Sequence, residues 1–159
     1  TAQYVEGIAP ALQEVCQDRD ARVVLVGAGE VELLGVPFEV RKWSEDTEID
    51  DLASFDVGIM PLQDSPWERG KCGLKLIQYM ACGKPVVGSP IGVNTKIIKD
   101  GYNGYYAKSK EEWIKYVLLL CDNYKLAKRN GKRGRKKIAS SYNLEVTVPT
   151  WEKIITKVI

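Results

Sequence analysis

A mostly parallel α/β sheet with helices on both faces, followed by C-terminal helices, is the fold class predicted by three observations. Short β-branched runs, RVVLV at 22–26, DVGIMPL at 56–62 and PVV at 85–87, alternate with segments whose apolar residues recur at helical spacing. Glycine or proline closes each run, at Gly27, Pro61 and Gly88. No low-complexity linker or internal repeat interrupts the alternation, and 159 residues suffice for one core, so a single domain over 1–159 is expected.

The stretch 70–92, GKCGLKLIQYMACGKPVVGSPIG, organises the chain. Its first half predicts a helix over 71–82 without internal proline, with Leu74, Ile77 and Ala81 as the buried face. Gly83 stops the helix, Lys84 and Pro85 turn the chain, and Val86 and Val87 begin a strand ending at Gly88. Lys71, Lys75 and Gln78 are spaced to share the edge that the apolar residues leave free. Two ammonium groups, a carboxamide and the free N–H groups of a first helical turn suit a phosphate joined to a hydroxyl-bearing group. Taken singly, lysines on an outer helix edge are ordinary solvated side chains.

In chain order, 1–17 reads as a helix with Tyr4, Ile8, Leu12 and Val15 on one face, and Pro10 marks a late start or a kink. No strand precedes it. The run 22–26 is a buried strand, with Gly27, Ala28 and Gly29 as the loop at its end; this GAG could cradle phosphate or simply end the strand. Residues 38–43 form a second strand, after which Ser44 or Thr47 caps an acidic helix. Thr47 with Asp50 fits a capping box, and Ile49, Leu52 and Phe55 supply its buried side. Trp43 could stack on a base or pack at the strand end.

The third strand, at 56–62, leads into a loop over 63–69 that carries Glu68, a candidate for holding a sugar hydroxyl or else a plain surface glutamate. This loop and the one at 88–92, with Ser89, belong at the carboxyl ends of the strands, where open α/β sheets bind ligands. A short helix over 93–99, a DGYNG turn and a last strand over 104–107 follow. Ser109 and Glu112 form a capping box opening a helix to about Leu120. Residues 123–142 continue helically, interrupted at Gly131 and Gly134, and 145–158 form a final helix. Eight basic residues between Lys125 and Lys137 make a solvated face, or a surface that could touch an anionic membrane or nucleic acid, and the solvated face is the favoured reading.

Composition bounds the function. Apolar residues at 45% and charged residues at 28% describe an ordinary globular chain, and a net charge of +2 gives no reason to expect a nucleic-acid partner. No run approaches the roughly 20 apolar residues that span a bilayer, and the N-terminus lacks signal-peptide order. A cytoplasmic location is expected, with the basic helix allowing peripheral contact at the inner face of the membrane. Cys16, Cys72, Cys82 and Cys121 are scattered without a CxxC, and histidine is absent, so neither a metal site nor histidine acid–base chemistry is expected.

The segment GLKLIQYMACGKPVVGSPIGVNTKIIKDGYNGYYA resembles the C-terminal, donor-binding domain of the group 1 glycosyltransferases, retaining enzymes of GT-B architecture. The similarity runs from about Arg22 to Ile155, with VVLVGAG and DVGIMPL as weaker signals. It implies a Rossmann-like half of a GT-B fold that transfers sugar from a nucleotide diphosphate donor, in surface glycan or glycolipid synthesis. The donor is a substrate, and no cofactor or metal is implied. The family commonly carries two glutamates eight positions apart; the matching positions here are Gly70 and Gln78. By resemblance, Gln78 retains one uncharged hydrogen bond to the ribose, and Glu68 substitutes for the loop glutamate on the donor sugar. Lys75 and Glu68 are then the catalytic candidates. Lys71, Gly73, Leu74, Gln78, Gly27, Gly29 and Ser89 are the donor-binding ones, a lysine offsetting diphosphate charge as the leaving group departs. The N-terminal acceptor-binding domain of such enzymes is absent from these residues, so weak nucleotide binding without turnover is expected of the chain alone. A nucleotide-sugar epimerase of the same architecture fits less well, since it resembles other motifs and the chain lacks histidine. The alternative from another class is a non-catalytic interaction or regulatory module working through the basic helix.

Overall fold

A computed structural model describes residues 2–157. Its strands are β1 (Val23–Val26), β2 (Phe38–Arg41), β3 (Gly58–Met60), β4 (Val86–Gly88) and β5 (Tyr105–Tyr106). β1 pairs with β2, and β3, β4 and β5 pair in that order, every ladder being parallel. The α/β class is as expected, but the ladder is divided in two, because β1 and β3 exchange no strand hydrogen bonds.

The N-terminal helix is two helices, α1 (Ala2–Glu6) and α2 (Ala9–Asp18). Pro10 sits in the first turn of α2, where an absent N–H breaks no helical bond. Thr1, the start of the expected helix, lies outside the described residues. α3 (Glu48–Ser54) follows β2 with Thr47 at its N-cap. The Thr47 hydroxyl makes no capping bond, and Ile49 is 70% exposed, so of the expected buried side Leu52 is enclosed and Phe55 half-enclosed. α4 (Pro66–Arg69) is a single turn within the loop after β3. α5 (Leu74–Ala81) and α6 (Asn94–Ile97) flank β4 in the chain, and α7 (Lys110–Asp122) opens on the Ser109–Glu112 capping box as expected.

α8 (Tyr124–Ser141) is continuous, not interrupted at Gly131 and Gly134. Both glycines lie on its buried face, where a Cβ on Gly134 would come 2.9 Å from Met80 Cγ. The absent side chains let the helix lie close against α5. α9 (Leu144–Ile155) contains Pro149 and buries none of its residues; the expected end at Val158 lies outside the described residues.

Three apolar clusters hold these layers together. Ala11 and Val15 of α2 meet Val87 and the Trp113, Val117 and Leu120 face of α7. Leu76 and Met80 of α5 pack with Val86, Ile97, Ile98 and Ile138. Val5 and Leu12 close on Leu33 and Val36.

Candidate functional site

The candidate site lies where α5 begins, beside the carboxyl ends of the strands. Gly73 sets the geometry: at φ +70°, ψ +23° it is left-handed, so the helix starts at Leu74 and not at Lys71. A Cβ there would meet Ile97 Cδ1 at 2.5 Å, so only glycine fits. The later start puts Lys71 off the helix, and Lys75 and Gln78 alone share its polar edge. The buried face differs in part from the expected one: Ile77 is half-buried and packs against the core as expected, but Leu76 and Met80 are the enclosed residues, while Leu74 is 53% exposed and Ala81 is exposed. α5 is apolar nearly all round, so its neighbours choose the face.

Because Gly73 has no side chain, no side-chain bond caps α5. The N–H groups of Leu74, Lys75 and Leu76 carry the positive end of the helix dipole without an internal acceptor. Lys75, half-buried in the same turn, makes no ion pair among the described residues. One turn on, Gln78 Nε2 donates to Glu48 Oε1 at 3.0 Å, and Trp43 Nε1 donates to the same oxygen at 2.9 Å. Gln78 Oε1 is buried without a hydrogen-bond partner.

Lys71 and Glu68 are brought together by a residue outside the candidate set. Lys71 Nζ donates to the Tyr4 hydroxyl at 2.8 Å and stands 4.0 Å from that ring's centroid. The Tyr4 hydroxyl donates to Glu68 Oε1, and the Ser65 hydroxyl donates to Glu68 Oε2. Glu68 is 7% exposed, and these two donors hold its carboxyl below the usual carboxylate range, Ser65 first and Tyr4 second, with the Lys71 charge adding to them. Each Glu68 oxygen therefore already has a donor from within the chain.

Ser89 is buried, its hydroxyl accepting the Leu62 N–H at 2.9 Å and its carbonyl accepting from Asn94 Nδ2 at 3.0 Å. It ties the loops after β3 and β4 together. Gly27, at φ +66°, lies against Trp43, where a Cβ would stand 3.0 Å from Trp43 Cβ; Gly29 has open space around it. Trp43 is 50% exposed. Sequence reasoning missed Asn94, which is fully buried with Oδ1 unpartnered, and Gly92, where a Cβ would come 2.6 Å from the Arg69 carbonyl oxygen. Among the described residues no cluster of histidine, cysteine, aspartate or glutamate could hold a metal ion.

Residues 3–123 match the family described as glycosyl transferases, group 1. The chain belongs to that family. Among curated relatives, an uncharacterized glycosyltransferase of Methanocaldococcus jannaschii is 31% identical over 97 residues, covering 60% of this chain and 25% of that protein. A glycosyltransferase of Rickettsia africae superposes with a TM-score of 0.80 at 16% identity, over 99% of this chain and 45% of that one. The Anabaena protein HepE, solved in complex with UDP and glucose, gives a TM-score of 0.74 at 14% identity over 92% of this chain and 44% of its own. This group 1 glycosyltransferase chain thus spans less than half the length of each of these proteins. The parallel α/β fold is shared along nearly all of it.

Proposed function

We infer that this group 1 glycosyltransferase chain is the donor-binding half of a retaining sugar transferase, and that a nucleotide diphosphate docks at the amino end of α5. The observation that carries this reading is the uncapped first turn behind Gly73 with Lys75 in the same turn. Three N–H groups, with an ammonium carried on the same turn, stabilise the negative charge that gathers on the diphosphate as the glycosidic bond breaks. Gln78 Oε1 accepts from a nucleoside hydroxyl, with Glu48 holding the other end of the same carboxamide. Lys71 is engaged with Tyr4 and acts by holding the loop before Gly73, and Glu68 meets a sugar hydroxyl with its remaining lone pairs. Support for the ligand class comes from HepE, whose UDP complex has this fold.

Calorimetric titration with UDP tests the site. Weak binding to the parent, reduced about tenfold or more in Lys75→Ala and in Gln78→Ala, a change of about 1.4 kcal/mol, is the expected result. No binding, or equal binding in all three proteins, overturns the assignment.

A second reading rests on α8, where Lys125, Lys128, Arg129, Lys132, Arg135 and Lys136 are exposed and none enters an ion pair among the described residues. Here the domain is a module contacting an anionic lipid surface, each basic residue contributing about 1 kcal/mol. Cosedimentation with phosphatidylserine vesicles that disappears at high salt, in a protein that fails to bind UDP, favours it.

A further inference from the structure

Two side-chain donors from different elements meet on one oxygen of α3. Trp43 Nε1, just beyond β2, donates to Glu48 Oε1 at 2.9 Å, and Gln78 Nε2, on α5, donates to the same atom at 3.0 Å. Glu48 is the first residue of α3 and is half-buried. An indole nitrogen can only donate and a carboxylate can only accept, so the Trp43–Glu48 bond has one possible direction.

The consequence falls on Gln78. A carboxamide has a donating end and an accepting end, and turning it over exchanges them. Turned over, Gln78 would set Oε1 against Glu48 Oε1, two acceptors with no proton between them, and would leave Nε2 in the buried position that Oε1 now holds. A repulsive contact would replace a charge-assisted hydrogen bond. Glu48 therefore holds the carboxamide in one orientation, with Nε2 toward α3 and Oε1 as the end without a partner.

Two further contacts fix Glu48 and Trp43 in place. Arg41 Nη1 donates to Asp51 Oδ1 at 2.9 Å and to Ser54 Oγ at 3.1 Å, which fastens α3 to the end of β2. Gly27, in the left-handed region at φ +66°, lies so close to Trp43 that a Cβ on it would stand 3.0 Å from Trp43 Cβ. A chain of contacts thus runs from the loop after β1, through Trp43 and Glu48, to the polar edge of α5.

We propose that Glu48 and Trp43 are positioning residues for nucleotide recognition, fixing Gln78 so that it offers the ligand an acceptor and never a donor. The proposal rests on the reading that a nucleotide diphosphate docks at the amino end of α5. It assigns to α3 and the end of β2 a part in selecting the ligand: a hydroxyl able to donate is favoured at Gln78, and a group that can only accept is refused.

Calorimetric titration with UDP of the parent, two single variants and their combination tests this. Gln78→Glu sets a second carboxylate against Glu48 and should lower UDP affinity about tenfold. Glu48→Gln alone keeps a carbonyl oxygen for both donors and should change affinity by less than about threefold. In the double variant the carboxamide at 48 donates to the carboxylate at 78, which keeps its second oxygen as an acceptor, and affinity should return to within about threefold of the parent. A general loss of packing would not be repaired by that exchange. Equal affinity in the parent and Gln78→Glu, or a double variant no tighter than Gln78→Glu, overturns the positioning role, while a loss of affinity in Lys75→Ala leaves the docking site standing. Failure of the parent to bind UDP overturns both. Urea unfolding is measured on each protein, and if Gln78→Glu does not fold the double variant decides: folded, with affinity near the parent's, it supports the proposal, and unfolded or unable to bind UDP it overturns it.

Discussion

Gly131 of α8 lies so close to the turn that ends α5 that a Cβ on it would stand 1.9 Å from the Gly83 carbonyl oxygen. The obstructing atom is backbone, at the end of the helix that carries Lys75 and Gln78, so the clash cannot be relieved by a rotamer change.

Gly131→Ala is therefore expected to destabilise the domain by about 2 kcal/mol or more, although alanine in a helix interior is favoured over glycine by about 1 kcal/mol. Urea unfolding measures it. Gly29→Ala, at a position with open space and no positive φ, serves as the control and should change stability little.

Acid should selectively weaken the bonds at Glu68. Its folded carboxyl titrates below its unfolded value because Ser65 and Tyr4 donate to it. The stabilisation is thus present above the unfolded value of about 4.3 and lost as pH falls through the lower folded one. Glu68→Gln should be less stable than the parent at neutral pH, and the gap should close on acidification. Unfolding midpoints that stay equally far apart from pH 7 down to pH 3 would contradict this.

The two lysines should separate by readout. Lys71→Met loses the Tyr4 hydrogen bond and the cation–π contact, which together contribute about 1 to 2 kcal/mol. Its expected effect is on stability, and nucleotide affinity should follow only insofar as the loop before Gly73 shifts. Lys75→Met touches no such contact and should lower UDP affinity while leaving the unfolding midpoint nearly unchanged. Calorimetry and thermal unfolding on the same two variants check this.

Ser109→Ala should cost about 1 kcal/mol, since the hydroxyl accepts the Glu112 N–H and Glu112 in turn holds the Ser109 N–H. The loss should appear as faster amide exchange in the first turn of α7.

Local signals were readable where neighbours in sequence are also neighbours in space. The Ser109 box, the Gly83 stop, the PVV strand and the spacing of Lys75 and Gln78 span a few residues each, and the structure forms them as expected. At the candidate site the same reading put Lys71 on a helix, because nothing within 71–82 announces that Ile97 and Val93 leave Gly73 no room for a side chain. Of the expected buried face of α5, Ile77 packs against the core, whereas Leu74 and Ala81 are exposed and the approach of α8 encloses Leu76 and Met80.

Residue order alone therefore settled the α/β class, the order of the strands and the family, because periodicity, turn chemistry and a contiguous motif are carried by short stretches of chain. The Tyr4 bridge between Lys71 and Glu68, the Glu48 carboxylate on Gln78 and the divided sheet were decided in three dimensions. Their partners lie 67, 64 and 30 residues apart or on different strands, and a hydrogen bond across such a distance leaves no local pattern.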